Sequence, residues 1–178
     1  MKKTVLSVLF IILSLSAPAF AANGLEVSAP SFLKAFNKAS ARVTKGLSPT
    51  QTEEGKSDAP NGDIIIARDT SIIMTLKRQK DSAKLDNISV SYFYDPEAYS
   101  SSPKDAPDAS LIFSNMCLQV IFALNENIED SKARSALREL GIHGPMLDGL
   151  QRRKVIGERV YIMKFQPNGV TIMAVSHK

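Results

Sequence analysis

The stretch ASLIFSNMCLQVIFAL, Ala109 to Leu124, is apolar on nearly every side of a helix, with Asn115 and Gln119 as its strongly polar members. An all-round apolar helix belongs inside a protein or inside a membrane. Spanning a bilayer takes about 20 consecutive apolar residues, and this run is shorter. It therefore predicts a buried central helix, the support on which the rest of the chain packs.

Upstream, Ile88, Val90, Tyr92 and Tyr94 alternate with Asn87, Ser89, Ser91 and Phe93, which is the pattern of a strand with one buried face. An isoleucine-rich run before it predicts a partner strand over Ser71 to Arg78, joined by a short hairpin connection. Nearer the start, Ser28-Ala29-Pro30 reads as a cap with proline in the first helical turn. Phe32, Phe36, Ala39 and Val43 then recur at helical spacing up to Gly46. The segments at about 46–63 and 95–108 are rich in proline, serine, glycine and acidic residues, and both read as long loops.

Downstream, Asp130 or Asn127 caps a helix carrying Ala133, Ala136, Leu137 and Leu140. Gly141 stands at its exit and Pro145 just beyond. The final hairpin runs Glu158 to Gln166, turns at Pro167-Asn168-Gly169, and returns over Val170 to Ser176. The order α-ββ-αα-ββ predicts an α+β fold: a twisted antiparallel sheet of about four strands, in two hairpins, packed on the buried central helix. One core should unite Ile88, Val90, Tyr92, Leu118, Ile121, Phe122, Ile162 and Ile172.

The N-terminus carries a different signal. Lys2 and Lys3 precede an apolar run from Val5 to Leu15, and Ala19 and Ala21 occupy the −3 and −1 positions of an Ala-x-Ala cleavage site. This predicts a signal peptide over residues 1–21, a single domain over 22–178, and a periplasmic or secreted destination. A lipid anchor would need a cysteine directly after the apolar run, but the one cysteine is Cys117. The same count rules out an intramolecular disulfide. Loss of Lys2 and Lys3 lowers the formal charge from +4 to +2, too mild for a nucleic-acid partner, which calls for a basic face.

No catalytic or metal-binding motif stands out. The chain has no G-x-S-x-G, H-E-x-x-H, G-x-G-x-x-G or phosphate loop and no paired cysteines, so no cofactor and no metal site is expected. His143 could pair with Asp148 as a base, yet no nucleophile is marked by spacing, and a histidine at a helix exit suits the dipole there. Cys117, amid apolar neighbours, reads as an inert small hydrophobe.

Two groups point to recognition. Ser71, Thr75 and Lys77 should lie beside Asn87, Ser89 and Ser91 as a hydrogen-bonding sheet face, over which Tyr99 could close. An ordinary solvated face would look the same. Arg152-Arg153-Lys154 forms a basic triplet able to meet a phosphate, an acidic partner or an anionic lipid surface, although most such runs are solvated turns.

Two function classes follow. The first is an exported, non-catalytic binding protein of the bacterial envelope, of inhibitor or immunity type, whose partner is another envelope protein or a small ligand. The alternative is a small periplasmic hydrolase or ligand carrier with a pocket between sheet and helices, near His143, Tyr92 and Tyr94.

Overall fold

The computed structural model describes residues 24–68, 71–93, 106–143, 146–147, 150–166 and 169–176. For 106–108, 146–147, 166 and 169–176 it describes the backbone alone. The expected leader lies outside these residues. So do Tyr94, Pro145, the turn residues Pro167 and Asn168, and most of the loop expected at 95–108.

The fold is α+β, with more strands than the two predicted hairpins supply. β1 (Leu25–Ser28) leads into α1 (Ala29–Ala39), which ends in a 3-10 turn over Ser40–Arg42. A short α2 (Pro49–Glu54) follows, then β2 (Lys56–Asp58), β3 (Ile64–Ala67), β4 (Ile72–Arg78) and β5 (Lys84–Phe93). Helices α3 (Ala106–Leu124) and α4 (Asp130–Glu139) come next, then a two-strand ribbon of β6 (Ile142–His143) and β7 (Met146–Leu147). The chain closes with β8 (Arg152–Ile156), β9 (Arg159–Gln166) and β10 (Gly169–Ser176). Among the described residues the main sheet has eight antiparallel strands, in the order β2-β3-β4-β5-β10-β9-β8, with β1 pairing the first residues of β5.

Local chemistry explains the starts and stops. Ser28 caps α1 by accepting the Ser31 N–H at 3.3 Å, with proline in the first turn. At α4 the expected cap is corrected: Glu129 holds the position and makes no side-chain bond there. Gly141 takes φ +87° just past that helix, a conformation that suits glycine.

The loop expected at 46–63 is also corrected, because it contains α2, β2 and their connection. Ser48 accepts the Gln51 N–H at 3.2 Å while Gln51 Oε1 accepts the Ser48 N–H at 3.1 Å. This reciprocal capping box starts a helix of six residues. The second expected loop is shorter than predicted, since α3 already begins at Ala106.

The core lies between one face of the sheet and α1 and α3. Phe32 and Phe36 of α1 are fully buried, with ring centroids 5.6 Å apart. Phe113 of α3 meets Tyr92 of β5 at 5.7 Å. Met74, Val90, Met116, Cys117, Ile121 and Met163 fill the space between. Ile88, Val90, Tyr92, Leu118, Ile121 and Phe122 join this core as expected. Ile162 does not: Tyr161 and Met163 face inward, so Ile162 lies on the opposite side of β9. Its neighbours are apolar too, which hides the alternation.

Gln119, the buried polar residue of α3, ties three segments together. Its Oε1 accepts the Leu47 N–H at 3.0 Å, and its Nε2 donates to Phe36 O at 2.9 Å and Leu47 O at 3.0 Å. A Cβ on Gly46 would stand 2.3 Å from Gln119 Oε1, so a side chain there would push the Gln119 carboxamide off its bonds. A second tie comes from Arg42. Its guanidinium lies 3.7 Å above the Phe122 ring, pairs with Asp130 and donates to Ile128 O at 2.7 Å.

Candidate functional site: the sheet face opposite the described helices

Because α1, α3 and α4 pack on the side of Met74 and Val90, the alternate residues of the sheet point the other way, to a face on which no helix of the described residues packs. Register places Ile65, Thr75 and Ser89 side by side across β3, β4 and β5. The next rung runs Ala67, Ile73 and Ser91. One rung in the opposite direction pairs Lys77 with Asn87. The row through Ser89 continues in register to Met173, Ile162 and Arg153.

These side chains are half-buried for Ile65, Ile73, Thr75, Ser89, Ser91 and Ile162. Phe93, near the end of β5, is 48% exposed. The face is thus a mixed surface of short hydroxyls set between isoleucines. Lys77 at its margin lies 3.6 Å from Asp86, which also accepts a hydrogen bond from Asn87 Nδ2 at 3.1 Å.

Sequence reasoning found the polar half of this surface. Thr75 faces Ser89 and Lys77 faces Asn87 as expected, but the neighbour of Ser91 on β4 is Ile73. Ser71 stands just before β4, where its carbonyl accepts the Phe93 N–H at 2.7 Å. The apolar half, Ile65, Ile73 and Ile162, was missed. Those residues come together only through the strand order, which no local pattern announces. Tyr99 lies outside the described residues.

The basic triplet is corrected. Arg152, Arg153 and Lys154 belong to a strand, β8, rather than to a solvated turn, and alternation divides them between two faces. Lys154, in register with the inward Tyr161, pairs with Glu139 of α4. Arg153, in register with Ile162, is exposed on the other side. They do not form one cationic patch.

His143 is exposed on β6, paired in register with Met146, while Asp148 lies outside the described residues. Among the described residues no cluster of three histidine, cysteine, aspartate or glutamate side chains could hold a metal ion. Two buried groups have displaced acidities. Burial pushes the Cys117 thiol well above its ordinary value. Burial likewise raises the Tyr161 phenol, against a smaller opposing effect of Asn125, whose Nδ2 donates to Tyr161 Oη at 2.7 Å.

Thiolate is the reactive form of cysteine, so native Cys117 should resist a thiol reagent and the chain should stay free of reductant-sensitive dimers. Denaturant should then release one rapidly labelled thiol. Rapid labelling of the folded protein would contradict the burial of Cys117 at the centre of α3.

No known protein-family pattern, functionally described protein or solved structure matches this chain.

Proposed function

We propose that this chain is an exported, non-catalytic binding protein of the cell envelope, and that it meets a partner protein through the sheet face opposite α1, α3 and α4, around Thr75, Ser89 and Ser91. The observation that carries the reading is the makeup of that face. A solvated face normally alternates with polar residues, whereas this one sets Ile65, Ile73, Ile162 and Phe93 among its hydroxyls. Short hydroxyl side chains lose little rotamer freedom on contact, and the isoleucines supply area to remove from water.

The export half rests on Lys2, Lys3, the apolar run and Ala19-Phe20-Ala21. The hydrolase or carrier alternative called for a pocket between sheet and helices. There Ile72, Met74, Val90, Phe113, Cys117 and Ile121 are all fully buried and in one cluster.

Affinity capture from periplasmic extract, with wild type and Ser89→Arg in parallel, tests the proposal. The wild type should retain a defined protein that Ser89→Arg loses, with the melting temperature of the variant unchanged within a degree or so. A long cation at the centre of the face would block contact while still reaching solvent. Recovery of the same protein by both, or of no protein by either, would overturn it.

A further inference from the structure

A groove of about 410 Å³ runs between the exposed side of α1 and the β2–β3–β4 end of the sheet, away from the face discussed above. Its floor is apolar, formed by Leu33 and Ile64. Its walls carry charges of both signs: Lys34, Lys56 and Arg78 against Glu53 and Asp58. Lys56 and Glu53 are paired, though only at 3.9 Å. Among the described residues no ion pair engages Lys34, Arg78 or Asp58. The Arg78 guanidinium is also uncommitted, because the bond to Asp63 Oδ1 comes from the Arg78 backbone N–H at 3.0 Å.

Asn37 also lines the groove, and its carboxamide makes no hydrogen bond. Its Oδ1 is buried without a donor. Such a group costs free energy unless something satisfies it. Turning the carboxamide toward the groove would sacrifice no existing bond.

We infer that this groove binds a small zwitterion of the amino-acid type, a free amino acid or a dipeptide. A site for a simple anion would not place Asp58 and Glu53 in its wall, and a site for a simple cation would not place Lys34 and Arg78 there. A molecule carrying an ammonium and a carboxylate a few bonds apart suits both. Its carboxylate fits the planar fork of Arg78. Its ammonium meets Asp58, with the Asn37 carboxamide available as a further acceptor, and a small apolar side chain lies over Leu33 and Ile64. The volume falls toward the lower end of the roughly 300–1,000 Å³ of small-molecule sites.

Alanine and alanyl-alanine, titrated separately into the ¹⁵N-labelled protein, test the site and distinguish the two sources. N-acetylalanine and alaninamide, each lacking one charge, serve as controls. At least one zwitterion should give saturating shifts confined to the amides of α1, α2, β2, β3 and the Arg78 end of β4, with both controls weaker by about tenfold or more. Arg78→Gln and Asp58→Asn should each weaken the same zwitterion about tenfold while melting as the wild type does. Absence of saturating shifts from both zwitterions, equal binding of the controls, or indifference to both substitutions would overturn the inference. None of these outcomes bears on the partner face, where Ser89→Arg is the informative change.

Discussion

Replacing Gln119 by leucine should destabilise the protein by about 3 kcal/mol or more, because it strips partners from three buried backbone groups at once. Leucine fills much of the same space, so packing is nearly conserved and the loss is one of hydrogen bonding. The Leu47 N–H, the Leu47 carbonyl and the Phe36 carbonyl would each be left in a dry interior without a partner. For a domain of this size the melting temperature should fall by roughly 6–12 °C. Exposed Glu53→Gln, two residues beyond the Ser48–Gln51 capping box, should change it by about a degree or two at most. Calorimetry of both variants separates the outcomes. A Gln119→Leu protein as stable as wild type would mean that Gln119 does not hold the 47–48 segment against α1.

Phe122→Ala is the second large effect, at roughly 3–5 kcal/mol for truncating a buried aromatic ring. The ring is 2% exposed and closes the core where α3 ends. It also supports the Arg42 guanidinium, so the variant loses a stacking surface as well as buried area. A cycle with Arg42→Ala isolates that second part, which should amount to about 0.5–1 kcal/mol of coupling. Chemical unfolding of the four proteins measures both quantities. Additive losses would show that the stacked geometry contributes nothing beyond separate packing, and an unchanged midpoint for Phe122→Ala would displace α3 from the core.

Which parts of this fold were legible depended on how much of each element lies in one kind of environment. From Phe113 to Leu124 the α3 helix is buried on every side, so its burial shows in composition alone. Strand β5 separates its faces cleanly, because Ile88, Val90 and Tyr92 are buried while Asn87, Ser89 and Ser91 are not. Helix α2 has a single buried residue, Thr52, hence no apolar stripe to read. Its Ser48-Pro49-Thr50-Gln51 start was nonetheless a visible capping signature inside a segment that looked like a loop. Strand β2 is Lys56-Ser57-Asp58, all exposed at the edge of the sheet, and nothing in such a sequence announces pairing. Strand β8 was masked by its charges, and β9 by apolar residues on both faces.

The candidate surface divides along the same line. Its hydroxyl half is written in one strand and its neighbour. Its isoleucine half is gathered from β3, β4 and β9, and depends on a strand order that is a property of the whole sheet. The groove beside α1 was not anticipated at all, since its charges come from four elements separated in the chain.

The junction of β5 and β10 sets the order of events when the chain is made. Val90 has Met74 as one neighbour and Ile172 as the other, so the central strand gains its second partner only after α3, α4 and β6 to β9 have been made. Closing so long a loop is slow compared with forming the β4–β5 hairpin or the individual helices. Until β10 arrives, β5 has an open edge along Asn87 to Phe93 and the core beneath it is incomplete.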